Sequence, residues 1–326
     1  MRSSTFILTT AISLGLVAAT AMAGEILGPG VISTGLQETS AAVTADGNTV
    51  YFMRSDFAEQ DDTILVSHRK GKVWSIPEVA SFSGQWHDSE PALSPDGKRL
   101  FFVSNRPVTP GGSPLMTELG GHRFPGTNLW YVEQRASGTW SDPVHVDGPL
   151  NDGDQIYNPS VAASGNVYFS AHRPDSGKAY QIYMARPNAN GGYGAPERVE
   201  LGDVAQNRMD PGIDPAERYI VYAGNEGDSV GSADIYISFR GADGKWSKPE
   251  HLPGDVNSAS LDIAPAPGRV FGELYLSSNR ADAPRYPKAR DDLASLQHRL
   301  ASPENGSRNI WSFNISLTLK NHGIDH

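Results

Sequence analysis

Apolar positions along this chain come in short, dense runs rather than at helical spacing. One set reads Val50-Tyr51-Phe52, Leu100-Phe101-Phe102, Val167-Tyr168-Phe169, Ile220-Val221-Tyr222 and Leu274-Tyr275-Leu276. A second set follows each of these, as Ile64-Leu65-Val66, Leu129-Trp130-Tyr131, Ile182-Tyr183-Met184, Ile235-Tyr236-Ile237 and Ile310-Trp311-Ser312. Unbroken β-branched and aromatic runs of this length suit strands covered on both faces. Before most members of the first set stands a tight-turn signal, Ala45-Asp46-Gly47, Pro95-Asp96-Gly97 or Ala163-Ser164-Gly165, which decays to Pro215-Ala216-Glu217 and Pro267-Gly268. Glycine there supplies the positive φ of a hairpin turn. Each turn joins a first strand, such as Glu90 to Ser94, to the apolar second strand.

A fourth element closes each repeat: Trp74-Ser75-Ile76-Pro77, Trp140-Ser141-Asp142-Pro143, Tyr193-Gly194-Ala195-Pro196 and Trp246-Ser247-Lys248-Pro249, with a degraded copy at Ile26-Leu27-Gly28-Pro29. The prolines lie 48, 66, 53 and 53 residues apart. A period near 50 filled with four short strands predicts an all-β fold, a single β-propeller with one blade per period. The last repeat lacks its fourth strand while an orphan copy stands near the N-terminus. That arrangement predicts five blades, the N-terminal strand completing the last one and so removing an open sheet edge. A sixth blade would require a repeat hidden inside an insertion.

Residues 1–23 are set apart from this pattern. Arg2, an apolar stretch from Phe6 to Ala19 and the small-x-small site Ala21-Met22-Ala23 predict a secretory signal peptide cleaved after Ala23. The apolar stretch is short for a membrane span. The expected organisation is therefore signal peptide 1–23, propeller 24–319 and a short polar tail 320–326 carrying His322 and His326, expected to be unstructured. A periplasmic or secreted location follows, with no membrane span after cleavage.

The chain has no cysteine, which excludes disulfides, thiol catalysis and cysteine-ligated metals. Arg2 is the one charged residue before Gly24, so 27 basic residues become 26 against 37 acidic ones, a formal charge of −11 after cleavage. Such a balance argues against a nucleic-acid partner, whose phosphates require clustered Lys and Arg. Phosphate-loop, dinucleotide, Gly-x-Ser-x-Gly and His-Glu-x-x-His motifs are all absent.

The stretch Glu90-Pro91-Ala92-Leu93-Ser94-Pro95-Asp96-Gly97-Lys98-Arg99-Leu100-Phe101-Phe102-Val103-Ser104-Asn105-Arg106 resembles the WD40-like repeat of TolB-type propellers. Looser copies are Phe169-Ser170-Ala171-His172-Arg173 and Leu276-Ser277-Ser278-Asn279-Arg280, and in Tyr222-Ala223-Gly224-Asn225-Glu226 the arginine is replaced. The resemblance spans residues 26 to 316 and implies a propeller. The separate N-terminal α/β domain of TolB has no counterpart between Gly24 and the first repeat. Such propellers serve as periplasmic protein-binding modules, parts of envelope assemblies and enzyme domains.

First strands line a propeller's channel, and alignment on the turns places Ser40, Glu90, Asn158, Asp210 and Asp262 at one level. Glu38, Asp88, Ile156, Arg208 and Ser260 fall two residues earlier, on the same face. An acidic channel mouth is the expectation. Glu90, Asp210 and Asp262 form a candidate Ca²⁺ set, or an acid and base pair for a glycoside; no other cofactor is expected. Against this stands the reading that the carboxylates fill the channel and satisfy backbone amides. Arg106, Arg173 and Arg280 end second strands at the same mouth, as anion clamps or as partners of carboxylates on the adjacent blade. His87 and His172 sit beside them and, with Asp88 and Glu90, offer a metal site or proton transfer, against the reading of satisfied surface histidines.

Two insertions, Pro107 to Thr127 and Ala281 to Ser307, both fall between second and third strands and so emerge on the mouth face. Within the second, Leu293, Leu296 and Leu300 share a helical face, predicting a short helix over the mouth. Long loops on a rigid scaffold are where recognition is placed. The sequence therefore points to a non-enzymatic exported module that binds a protein or envelope component through these loops. The alternative is a carbohydrate-active hydrolase or lyase working at the acidic mouth, with a glycan or small ligand as its partner.

Overall fold

The computed structural model describes residues 24–326 apart from 120, 154, 254–255 and 282–285; the expected signal peptide and its cleavage site lie outside the described residues. Five four-stranded antiparallel blades follow one another. From the channel outward, blade 1 is Gln37–Val43, Thr49–Ser55, Thr63–Lys70 and Glu78–Val79, with Val73–Trp74 as an added pairing. Blade 2 is Asp88–Leu93, Arg99–Ser104, Asn128–Glu133 and Val144–His145; blade 3 is Ile156–Val161, Val167–Ala171, Gln181–Ala185 and Glu197–Arg198. Blade 4 is Arg208–Ile213, Tyr219–Gly224, Asp234–Phe239 and Glu250–His251. Blade 5 takes Asp262–Pro267, Glu273–Ser278 and Asn309–Asn314 from the C-terminal region and Glu25–Ile26 from the N-terminal one.

The clasp is thus present, with Glu25 opposite Ser312 and Ile26 opposite Trp311, but it is not centred on Pro29 as the repeat predicts. In the other blades the outer strand begins directly after the proline, and the next residue donates its amide to the third strand, as Val199 does to Ile182 and Leu252 to Ile235. Leu27 makes that bond to Ile310, so Gly24 stands in the proline's place. Pro29 lies downstream in a turn held by the Gly28 carbonyl.

There is no single core. Five hydrophobic clusters fill the five seams between neighbouring blades, which is why the second and third strands are apolar on both faces. The recurring aromatic of the Trp-x-x-Pro phrase packs back onto the preceding blade: Trp74 joins the seam of blades 5 and 1, Trp140 that of 1 and 2, Tyr193 that of 2 and 3, and Trp246 that of 3 and 4. Trp140 also donates its indole N–H to the Tyr51 hydroxyl at 2.9 Å.

The tail expected to be unstructured instead folds onto blade 4. Residues Ser316–Asn321 form a helix, Leu319 and Ile324 are buried in the seam of blades 4 and 5, and the His322 ring stacks on Phe239 at 3.8 Å. Apolar residues spaced through Leu317–Ile324 were hidden by the polar ones around them. Among the described residues no helix is long and apolar enough to cross a membrane.

Candidate functional site

Each innermost strand carries the same β-bulge, between Thr39 and Ala42, Ser89 and Ala92, Tyr157 and Ser160, Met209 and Gly212, and Ile263 and Ala266. The first bulged residue has left-handed backbone in every blade: Ser40, Glu90, Asn158, Asp210 and Ala264, with φ between 45° and 57°. A bulge breaks the ladder and re-aims a side chain; here five of them point at one level of the channel. The fifth member is Ala264, not Asp262 as predicted. Asp262 pairs with Ser278 just as Asp88 pairs with Ser104, so it belongs to the earlier level with Glu38, Asp88, Ile156 and Arg208. Without a regular turn in blade 5, alignment on the turns slips by two residues.

This ring is the waist of the channel. Asn158 donates its backbone N–H to Glu90 Oε2 at 2.5 Å, and its side-chain amide to Glu90 Oε1 at 3.0 Å and Asp210 Oδ1 at 2.7 Å. The Ala264 amide donates to Asp210 Oδ2 at 3.1 Å, and the Ser40 hydroxyl to Asn158 Oδ1 at 3.2 Å. Burial, reinforced by the charge of Asp210, pushes Glu90 well above the usual carboxylate range; burial raises Asp210 as well. Towards the turn face, Arg269 crosses from blade 5 to donate to the Leu93 and Ser94 carbonyls of blade 2.

One level earlier, the Ser-x-Arg phrase has a physical explanation. The Ser104 hydroxyl donates to Asp88 Oδ1 at 2.6 Å and accepts from Arg106 Nε at 2.9 Å; Arg106 then reaches Asp88 at 2.6 Å and the Phe82 carbonyl at 3.0 Å. Blade 5 repeats the arrangement, with Arg280 on Ser278, Asp262 and the Val256 carbonyl. These arginines lie over Phe102 and Trp130, and over Trp311 and Phe313. The carboxylate partner is in the same blade rather than the adjacent one, because the first and second strands bring the two residues side by side. In blade 4 the charges are exchanged, Arg208 facing Glu226 at 2.8 Å. Blade 3 has Ile156 in place of the acid, and Arg173 donates to the Leu150 carbonyl at 2.6 Å.

Glu90, Asp210 and Asp262 therefore do not come together as a cation set, and among the described residues no cluster of three or more His, Asp and Glu is placed to hold a metal ion. His172 is exposed, with Nε2 3.1 Å from the Gly177 carbonyl.

Above the waist, on the face of the insertions, opens a cavity of about 420 Å³, inside the roughly 300–1,000 Å³ range of small-molecule sites. Of the predicted site residues, Glu90, Asn158 and His87 line it; Asp88, Arg106, Arg173, Arg208, Asp210, Asp262 and Arg280 do not. Its walls include residues that sequence reasoning missed. Asp62 holds His87 Nε2 at 3.2 Å, and Arg308, nine-tenths buried, is ion-paired with Glu59. Burial lifts the Asp62 carboxyl to about 6, against the attraction of His87 and the pull of the Ser55 hydroxyl. Asp62 and Arg308 lie in connecting segments outside the repeat, so no alignment of blades could select them.

The insertion Pro107 to Thr127 forms a hairpin, Met116–Leu119 with His122–Pro125, and its Phe124 and Pro125 reach the cavity. Thr117 at its base accepts from Gln155 of blade 3, which in turn accepts from the Tyr180 hydroxyl. The predicted helix is present as Leu293–Ala301, capped by Asp292 on the Ser295 amide. It does not cover the mouth: no helix residue lines the cavity, and Asn305 ties the Leu300 carbonyl to that of Gly35 at the seam of blades 5 and 1. The wide polar face of this nine-residue helix needs water, not a channel.

No family model matches the sequence, and no curated protein matches it. Solved structures do. An α-L-arabinofuranosidase from Lactobacillus brevis is 13% identical with a TM-score of 0.51, covering 87% of this chain and 91% of that one. A thermostable family-43 glycoside hydrolase is 11% identical with a TM-score of 0.50, covering 85% and 88%. A TolB-assigned protein from Agrobacterium tumefaciens is 14% identical with a TM-score of 0.48, covering 86% and 90%. At such identities the likeness is one of fold. The chain is a five-bladed β-propeller, similar to TolB-like propellers and to glycoside hydrolases alike.

Proposed function

We propose that this chain is an exported, non-enzymatic binding module that takes a protein or envelope component at the cavity on its insertion-bearing face. The observation that carries the reading is the state of the channel carboxylates. Asp88 and Asp262 are neutralised by arginines of their own blades, and Glu90 and Asp210 are held by Asn158 and a backbone amide. A general acid or base needs a proton path to a substrate, and these groups brace the blades instead. The cavity above them is walled partly by the insertion hairpin, the kind of loop on a rigid scaffold that recognition uses. Export rests on the signal-like N-terminus. Crosslinking the mature chain in its native compartment tests the proposal: capture of one reproducible partner through residues 107–127 or 281–307 is expected, and no enriched partner on either loop would overturn it.

One observation favours a second reading, a carbohydrate-active hydrolase or lyase. Asp62, with a carboxyl lifted to about 6 beside His87 on the cavity wall, has the properties of a proton-transferring group. Turnover of a glycan that disappears in Asp62→Asn would establish it.

A further inference from the structure

The ion pair between Arg308 and Glu59 joins unlike partners. Arg308 is nine-tenths buried, and its backbone N–H and Nε both donate to Gln37 Oε1, at 2.8 and 3.3 Å, which fixes the guanidinium at the cavity wall. Glu59 comes from the 56–62 connection, its side chain is 46% exposed and its φ is +51°. A non-glycine residue in left-handed backbone costs energy, and a long exposed side chain held in one place loses rotamer freedom. A fixed, buried, planar cation prefers a carboxylate, and here the carboxylate is supplied by the more dispensable partner.

We propose that Arg308 is the seat for the carboxylate of a sugar-acid ligand, a hexuronate unit, with Glu59 occupying the seat until the ligand displaces it. This rests on the mouth cavity being the binding site. The remaining wall suits the rest of such a molecule. Asp62 and His87 supply polar groups for ring hydroxyls, while Phe124 and Tyr157 offer aromatic surface for the C–H face of a sugar ring. Burial shifts the Asp62 and Glu90 carboxyls upward, towards their neutral forms, which lessens the negative charge facing Arg308 when Glu59 leaves. A free sugar acid and an acidic residue within a polysaccharide present the same chemistry.

Calorimetric titration of the mature chain with D-galacturonate, D-glucuronate, trigalacturonate, D-galactose and D-glucose tests the assignment. At least one uronate is expected to bind tenfold or more tightly than its neutral counterpart. Arg308→Gln should abolish that preference, and Glu59→Gln, at an exposed position that leaves folding intact, should tighten uronate binding several-fold by emptying the seat. Trimer binding tighter than monomer identifies a polysaccharide source; equal binding identifies the free acid. Uronates binding no better than neutral sugars, or not at all, or an unchanged affinity in Glu59→Gln, overturns the proposal. Partner capture through Phe124 can persist in that case, so its failure is separate from that of the binding module itself.

Discussion

Arg208 Nη2 lies 2.8 Å from Glu226 Oε1 in blade 4, the reverse of the Asp88–Arg106 and Asp262–Arg280 order at the same two positions in blades 2 and 5. Where a blade carries a buried pair there, either polarity serves, and blade 3 does without one, its Arg173 bonded to the Leu150 carbonyl. Removing one partner strands the other charge, so Asp88→Ala is expected to lower unfolding free energy by about 3–5 kcal/mol. The exchanged double variant Asp88→Arg with Arg106→Glu should recover part of that loss. Urea unfolding of the three proteins measures both effects.

Asn158 is a neutral amide between the part-buried Glu90 and the buried Asp210. Replacing it with Leu removes donors from Glu90 and Asp210, each lost bond to a buried group costing about 1–3 kcal/mol. Both carboxyls titrate above their unfolded values. The folded state therefore holds more protons than the unfolded one above the ordinary carboxylate range, and stability falls as pH rises through that window. Asn158→Leu, with less to stabilise the charged forms, should lose more stability at pH 7.5 than at pH 5.

Asp62 gives the same sign in a defined window. With its carboxyl raised from 3.8 to about 6, its ionisation opposes folding by roughly 3 kcal/mol at pH 7, and this falls to about zero below roughly pH 3. Asp62→Asn is expected to be more stable than the parent at pH 7, with the difference shrinking towards pH 4. Unfolding followed across that range checks it.

The clasp makes a further prediction. A chain beginning at Gly28 lacks Ile26 and Leu27, both packed into blade seams, and exposes the edge of blade 5. A loss of about 2–4 kcal/mol is expected from the apolar burial alone, together with self-association through the open edge, visible by calorimetry and light scattering.

Blade number, strand order and ring closure were legible because each depends on a residue pattern repeated several times. Where a repeat is degraded, reading by analogy misses by a few residues: Pro29 drew the clasp away from Glu25–Ile26, and the irregular blade 5 turn put Asp262 where Ala264 stands. Four cavity residues, Ser40, His87, Glu90 and Asn158, were reached through the channel-facing strands. Asp62, Glu59 and Arg308 were not, since each enters from a connection whose position depends on packing between blades. Alignment on the turns set Glu90 and Asp210 in the channel, but only their partner Asn158 and, one level earlier, Arg106 and Arg280 reveal that the carboxylates are spent internally.

The most direct test is to incubate the chain from Gly24 onward with the envelope fraction of its host, isolate what it retains and follow the mass of that material over hours. A binding module predicts a retained species of unchanged mass whose capture is lost in Phe124→Ala. Accumulation of a cleaved or eliminated product, abolished by Asp62→Asn, would contradict it.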